Sequence, residues 1–275
     1  RYGHQFGEPP KTNQSPTIRT FIETIYYPTF IAPLAPTTKE SYEQYLRLNI
    51  LPFMGDMPMN EITVTTIQAF YDWMATASQR GRKKNLNRKT IERVGGLVGK
   101  VFRVAMDMDI VSQSPIKKTL LRNNGANASH HKALSYEEID RVKKSIPALP
   151  VERQRLYMAL LAYTGMRPEE ILGLCWENVH LEDGYCEMVR TVTYPKNAGT
   201  MIREGGKTEL SVRTIALPDP AINILSSATN RTGYILYGET RNRPLAYSTY
   251  KRTYQAAFKA LGITCCNYDF RTTYG

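Results

Sequence analysis

Two arginines stand beside predicted helix starts, where a side chain can be held in a fixed direction. Arg167 lies in TGMRPEEILGL just before Pro168, and proline favours the first position of a helix. Arg271 lies in NYDFRTTYG, near the start of another short helical pattern. A guanidinium group presents a planar fork of donors that matches a phosphate group. Arg167 and Arg271 are therefore candidates for holding one phosphate between them.

A lysine and a glutamate extend this constellation. Lys207 follows the Gly205-Gly206 turn, and a lysine at a hairpin tip can reach into a cleft and protonate a departing oxygen if its pKa is lowered. Glu170 comes three residues after Arg167 on the same helical face, where its carboxylate can orient the guanidinium. Taken alone, the Arg167–Glu170 pattern is more typical of an exposed ion pair that contributes little. Taken alone, the Lys207 pattern is more typical of a hairpin lysine that only improves solubility.

The elements that position these residues form a predicted second domain, residues 134–275. It begins with the capping box Ser135-x-x-Glu138, a helix-start pattern. Apolar residues at every second position predict strands, and apolar residues that recur every three to four positions predict helices. The predicted elements are a helix at 151–164, strands at 185–193 and 212–217 around the Gly205-Gly206 turn, and helices again within 219–260, clearest at 247–260. The second domain is therefore expected to be mixed α+β and mostly helical.

Residues 1–116 form a predicted first domain, in which the pattern is helical from about Thr37 to Ile110. Apolar residues recur there at helical spacing. The three predicted stripes are Tyr42, Tyr45, Leu46 and Ile50; Ile67, Phe70, Tyr71 and Met74; and Ile91, Val94, Val98, Val101, Phe102 and Ala105. The segment 117–133 (KKTLLRNNGANASHHKA) has no periodicity and is a predicted linker. The fold class is thus mainly α with a small β-sheet.

Composition narrows the classes of function. The chain has 275 residues, 42% of them apolar, and a formal net charge of +11, which favours a polyanionic partner. No apolar run approaches the ~20 residues of a membrane span. The four cysteines lack metal-ligand spacing, and His130 and His131 have no third ligand in view, so we expect no metal and a reducing cytoplasm.

A basic run before the third helical stripe predicts a DNA-binding surface. Residues 79–93 (QRGRKKNLNRKTIER) hold seven basic side chains and one acidic residue, Glu92. Such a run can follow a phosphate backbone, although a solvated basic loop is the open alternative. The candidate contacts are Arg80, Arg82, Lys83, Lys84, Arg88, Lys89 and Arg93, with Lys132, Arg243 and Arg252 as lesser candidates.

Arg167, Lys207 and Arg271, in this order and spacing, resemble the three basic positions of the tyrosine recombinases, the phage integrase family that includes integrases of conjugative transposons. SYEQYLRLNILPFMGDMPMNEIT, residues 41–63, is similar to the family's helical, SAM-like core-binding domain. The resemblance covers most of the chain. It implies a C-shaped clamp on double-stranded DNA, cleavage through a 3′-phosphotyrosine, no cofactor, tetramers on DNA, and integration or excision of a mobile element.

The chain also departs from this family's pattern. The position three residues before the second arginine is usually His, and here it is Tyr268, which we expect to donate a hydrogen bond to the phosphate. Thr272 stands where the family often has another His. The nucleophilic tyrosine is expected beyond Gly275, because Tyr274 lies only three residues after Arg271 and is expected to pack. The chain is then a trimmed recombinase that binds DNA without cutting. The alternative is a non-catalytic, DNA-binding regulator.

Overall fold

The chain divides into two compact units, Arg1–Ser129 and His130–Gly275. A computed structural model describes residues 15–76, 85–117, 119–127, 132–196, 198–205 and 212–274. In these residues the first unit is helical, and the second combines helices with two small antiparallel sheets. The predicted fold class, mainly α with a small β component, is confirmed. None of the described helices combines the length and the apolar character that crossing a membrane requires.

The described part of the first unit is built of helices. Helix α1, Ile18–Phe21, continues as a π-helical segment, Ile22–Ile31. The helices that follow are α2 (Pro36–Tyr45) with a second π-helical segment (Leu46–Ile50), α3 (Leu51–Met54), a 3-10 turn (Met59–Glu61), α4 (Val64–Ala75) and α5 (Arg88–Asp107).

The predicted apolar stripes of α4 and α5 face one core, where Ile67, Phe70, Val98 and Phe102 are buried. Sequence reasoning missed the first helical stretch. Pro28 lies inside that stretch, and the π-helical winding gives it a period other than 3.6 residues. The apolar residues of this stretch therefore follow no regular α-helical period.

Residues 119–127, part of the predicted linker, are hydrogen-bonded to the first unit. The backbone of Arg122 and the Gln68 side chain exchange two hydrogen bonds, with N···O distances of 2.8 and 3.0 Å. The Arg88 amide donates to the Ala126 carbonyl over 2.8 Å. These contacts hold the segment against α4 and against the start of α5.

The second unit is organised around the buried helix α7. Its helices are α6 (Tyr136–Ser145) with a 3-10 turn (Ile146–Ala148), α7 (Glu152–Thr164), α8 (Pro168–Gly173), a 3-10 turn (Trp176–Asn178), α9 (Asp219–Ser226), α10 (Tyr247–Ala260) and α11 (Asn267–Tyr274). The predicted capping box at the start of α6 is formed, because the Glu138 amide donates to the Ser135 hydroxyl and the Ser135 amide donates to the Glu138 carboxylate.

The strands form two sheets where the sequence predicts a single hairpin. Their bounds are β1 Val179–His180, β2 Tyr185–Met188, β3 Arg190–Thr193, β4 Met201–Glu204 and β5 Arg213–Ala216. The first sheet has the order β1-β2-β5, and β3 pairs with β4 in the second. The predicted strand 185–193 is thus divided at Val189. Alternation continues across this division, so the pattern alone could not locate it.

The helices predicted within 219–260 form as α9 and α10, and the residues between them are not helical. Residues 227–246 contain isolated bridges, Cys175 with Tyr234 and Tyr237 with Pro244, in place of a helix. Gly233 has φ +65°, and a side chain there would meet the Arg241 carbonyl at 2.3 Å. Proline and glycine interrupt the helical period, and here they outweigh the apolar residues between them.

Candidate active site

Arg167 is fixed at the start of α8 by the residue that the sequence pairs with it. Its backbone is extended, with φ −68° and ψ 146°, and Pro168 occupies the first helical position. The Glu170 carboxylate reaches back, accepting from the Arg167 amide over 2.9 Å and from its guanidinium over 2.8 Å. The Arg167 side chain remains 48% exposed. A forked donor is therefore held still while one face of it stays open to solvent.

Glu170 also binds a second arginine, which sequence reasoning missed. Arg213 on β5 places Nη1 3.1 Å from Oε1 and Nη2 2.9 Å from Oε2 of Glu170. The carboxylate is only 3% exposed. Burial opposes its ionisation, but the hydrogen bonds from Arg213 and Arg167 outweigh burial and hold the pKa of Glu170 below its ordinary value. Arg213 and Ile215 share the less exposed face of β5. This alternation is the sequence signal that could have identified Arg213 as an inward-facing residue.

Arg271 lies on α11, and its side chain reaches the end of α7. Its Nη1 donates to the Gly165 carbonyl over 3.0 Å. The fully buried Phe270 anchors α11 against Phe258 of α10, with ring centroids 5.8 Å apart. Burial and the nearby charge of Arg167 lower the pKa of Arg271. Two cations so close repel each other, and such an arrangement is typical of an anion-binding site.

Gly165 forms the turn between α7 and Arg167, and its carbonyl accepts the hydrogen bond from Arg271. It ends α7 in the left-handed region, with φ +62° and ψ +21°. A Cβ there would lie 3.0 Å from the Cβ of Tyr274. The Tyr274 hydroxyl donates to the Ala162 carbonyl, and Lys143 lies over the Tyr274 ring at 5.3 Å. The sequence predicts that Tyr274 packs, and in the structure its ring contacts Gly165 at the end of α7 while the residue stays 45% exposed.

Replacing Gly165 with alanine should lower the free energy of unfolding of the second unit by at least about 1–2 kcal/mol, the cost of left-handed backbone for an L-residue. Crowding against Tyr274 should add to that cost. Gly262→Ala is the matched control, since Gly262 has φ +63° and open space around it. Chemical denaturation of both variants measures the difference. Equal losses would show that Tyr274 moves aside freely.

Tyr268 lies next to this pair of arginines, but its hydroxyl has a protein acceptor. It donates to Glu169, with O···O distances of 2.9 and 3.1 Å to the two carboxylate oxygens. Burial and the Glu169 carboxylate raise the pKa of Tyr268 to about 12. The sequence predicts that this hydroxyl donates to a phosphate, whereas in the structure its proton points to Glu169.

Several predicted site residues lie outside the described residues, namely Lys207, Arg80, Arg82, Lys83 and Lys84, as do His130 and His131. Arg88, Lys89 and Arg93 are exposed on the first turns of α5. Lys132, Arg243 and Arg252 are exposed on the second unit. The Lys132 amide donates to the Asp269 carboxylate of α11 over 3.2 Å, so this lysine lies beside the helix that carries Arg271.

Comparison with known proteins extends over both units. A model of the phage integrase N-terminal SAM-like domain matches residues 17–75, and the phage integrase family model matches residues 132–274. An integrase of Mycobacterium phage FRAT1 is 24% identical over 237 residues, which are 83% of this chain and 66% of that protein. The chain thus spans slightly less than two thirds of this relative's length.

Solved structures of integrases share the fold. The integrase of transposon Tn1549, solved in complex with a circular intermediate DNA, has a TM-score of 0.74 at 15% identity, covering 94% of this chain and 86% of that one. A lambda integrase tetramer bound to a Holliday junction has a TM-score of 0.63 at 18% identity, covering 95% and 70%. Since the second family model alone matches more than half of the residues, the chain belongs to the phage integrase family of tyrosine recombinases.

Proposed function

We propose that this chain supplies the DNA-binding surface and most of the active site of a site-specific recombinase, which integrates or excises a mobile element through a 3′-phosphotyrosine intermediate. The observation that carries the proposal is the approach of Arg167 and Arg271 from two different helices. Burial and the charge of Arg167 lower the pKa of Arg271, and Glu170 holds the Arg167 guanidinium in place. A scissile phosphate between the two guanidinium groups relieves this repulsion.

The proposed reaction requires positively charged groups beside the phosphate. When a hydroxyl attacks a phosphodiester, negative charge grows on the non-bridging oxygens, and fixed donors aimed at them lower the barrier. Arg167 and Arg271 have this role in the proposal. Lys207 protonates the leaving 5′-oxygen, so that the broken strand ends in a hydroxyl group. Glu170 acts only by positioning Arg167.

The attacking tyrosine is proposed to lie beyond Gly275. Tyr274 is the nearest candidate in the chain, but its hydroxyl donates to the Ala162 carbonyl and its ring packs on Gly165. Using it as a nucleophile would break both contacts. The present chain is therefore expected to bind DNA without cutting it.

The test of cleavage uses the full-length protein with a duplex of its recombination site, nicked beside the cleavage point. The short 5′-hydroxyl fragment then diffuses away. Rejoining becomes impossible, and the covalent intermediate accumulates. We expect a protein–DNA adduct that resists denaturation, and we expect none with the present chain. A full-length protein that binds the duplex and never forms the adduct would contradict the recombinase.

That second outcome would favour a regulator that kept the fold and lost the chemistry. One observation supports this alternative. Tyr268 stands where the family usually has a histidine, and its hydroxyl is held by Glu169. The retained pair of Arg167 and Arg271 argues for the enzyme, because a protein that only binds DNA has no need to keep both guanidinium groups together.

Replacing Arg88, Lys89 and Arg93 with alanine should weaken DNA binding and its salt dependence. Each phosphate contact that is lost makes the negative slope of log K against log salt shallower by about 0.9. If these three exposed side chains of α5 each contact a phosphate, the magnitude of the slope falls by about 2 to 3. Fluorescence anisotropy of a labelled duplex between 50 and 300 mM salt, about the range in which such slopes are measured, gives this number.

The control is a triple variant of equal charge. Arg19, Lys39 and Lys144 already interact within the protein, Arg19 with Asp56 at 2.8 Å, Lys144 with Asp140 at 2.7 Å and Lys39 with the Tyr27 ring. Their replacement with alanine should leave the slope nearly unchanged. If both triple variants lowered the slope equally, the basic surface of α5 would have no special role.

Self-association is proposed to occur on DNA. The lambda integrase of similar fold is a tetramer on a Holliday junction, and we propose the same state for the full-length protein, with its two domains clamped around each duplex. Light scattering with and without a recombination-site duplex tests this. A protein that stays monomeric on the duplex at micromolar concentration would contradict the proposed assembly.

A further inference from the structure

Tyr268 and Glu169 form a hydrogen-bonded pair at the edge of the proposed phosphate site. A single phenol proton is shared between both oxygens of the carboxylate, at 2.9 and 3.1 Å. The two residues come from α11 and α8, the helices that also carry Arg271 and Arg167. The pair is thus built from the same two elements as the phosphate site.

The pair interacts electrostatically with the arginines of that site. Burial and the Glu169 carboxylate raise the pKa of Tyr268, and the charge of Arg167 opposes that rise. The charge of Tyr268 in turn favours the protonated form of Arg271. The charge of Glu169 also reaches the phenols of two buried tyrosines, Tyr157 and Tyr250. Tyr268 is 38% exposed, so the pair is open to an incoming group.

We propose that Tyr268 and Glu169 together accept the proton of the attacking hydroxyl, with Tyr268 as the relay and Glu169 as the final acceptor. As the new O–P bond forms, the nucleophile's proton moves to the Tyr268 oxygen, and the Tyr268 proton moves to the Glu169 carboxylate. The P–O5′ bond breaks, and the leaving oxygen takes its proton from Lys207. In the rejoining step every transfer runs in reverse.

This assignment accounts for a phenol at this position better than phosphate binding does. A phenol that donates its proton to a carboxylate keeps oxygen lone pairs that can accept a hydrogen bond from an attacking hydroxyl. With a pKa of about 12, Tyr268 stays neutral at physiological pH and cannot serve as a base by itself. The carboxylate supplies the basicity that the phenol lacks.

The inference rests on the proposed function, and its test uses the full-length protein and the nicked duplex. Glu169→Gln keeps an oxygen that can accept the Tyr268 hydrogen bond but removes the proton acceptor. We expect cleavage at least about 100-fold slower, within the usual range for general base catalysis, with DNA affinity changed less than threefold. Tyr268→Phe should slow cleavage similarly. The double variant should be no slower than the slower single variant, because the two groups act as one unit.

One further measurement separates a relay from a structural role. Tyr268→His in the Glu169→Gln background should be faster than Tyr268→Phe in that background, because an imidazole can itself accept a proton. Glu182→Gln removes an exposed carboxylate in the turn before β2 and should cleave at the wild-type rate.

The possible failures are distinguishable. A Glu169→Gln protein that cleaves within threefold of the wild type overturns the relay and leaves the recombinase intact. So does a double variant whose losses multiply. A wild-type protein that forms no adduct at any pH overturns the proposed function, and the relay with it.

Discussion

Replacing Arg271 with alanine in the full-length protein should slow formation of the covalent DNA complex by about 100-fold to 1,000-fold. This is the usual effect of removing one fixed donor from a charged transition state. Arg271 donates to the Gly165 carbonyl, and burial and the charge of Arg167 both lower its pKa. The protein thus holds Arg271 close to another cation, which is unfavourable in the absence of DNA. We expect both cations to stabilise the negative charge of the transition state. Single-turnover cleavage of the nicked duplex measures the loss.

DNA binding should change far less than cleavage. Many phosphates contribute to affinity, whereas the scissile phosphate is one among them. Arg271→Lys keeps the charge but loses the planar fork, so it should recover only part of the rate. Arg231→Ala is the matched control, because the exposed Arg231 donates to the Ser226 carbonyl over 3.2 Å in a loop between α9 and α10.

Arg167→Ala should slow cleavage to a similar extent, and the double variant should lose less than the product of the single losses, since both groups act on one phosphate. An adduct that forms at the wild-type rate in either single variant would contradict the assignment. A loss of DNA affinity as large as the loss of rate would instead assign both arginines to ground-state binding.

The parts of the fold that the sequence predicts are those specified by neighbouring residues. The capping box at Ser135, the helix start at Pro168 and the buried stripe of α5 each depend on residues within one or two helical turns. Arg167 and Glu170 are three residues apart, so their pairing was visible as well. Arg271 entered the candidate site as an arginine near the start of a second short helical pattern, and its order in the chain also fits the resemblance to the family.

The partners that sequence reasoning missed lie far along the chain. Glu170 and Arg213 are separated by 43 positions, and Glu169 and Tyr268 by 99. No local period relates such residues, and only the packing of α8 against the strands and α11 brings them together. The Tyr268 hydroxyl was expected at a phosphate because nothing near it in sequence identified Glu169 as its acceptor.

Replacing Glu170 with alanine should lower the free energy of unfolding of the second unit by about 3–5 kcal/mol, the usual cost of removing one partner from a buried ion pair. Glu170 is 3% exposed and accepts hydrogen bonds from both Arg167 and Arg213. Without it, the two guanidinium groups face each other in the positive field that includes Arg271. The loss should exceed that of most single substitutions.

Chemical denaturation of the present chain, followed by circular dichroism, measures this effect. Glu170→Gln keeps the size of the side chain and some of its hydrogen bonds, so its loss should be smaller than that of alanine. Glu182→Ala, which removes an exposed carboxylate from the turn before β2, should cost less than about 0.5 kcal/mol. Equal stability of Glu170→Ala and Glu182→Ala would contradict a structural role for the buried carboxylate.

The pH dependence provides an independent measurement. The pKa of Glu170 is lower in the folded chain than its ordinary value of 4.5, so the folded state binds this proton less tightly than the unfolded state. Its contribution is therefore fully present above pH 4.5 and is lost as the pH falls through the folded-state pKa. Glu170→Gln cannot titrate, so the stability gap between it and the wild type should close progressively below pH 4.5. A gap that stays constant down to pH 3, about one unit below the range in which carboxylates ordinarily titrate, would show that the charge of Glu170 does not stabilise the fold.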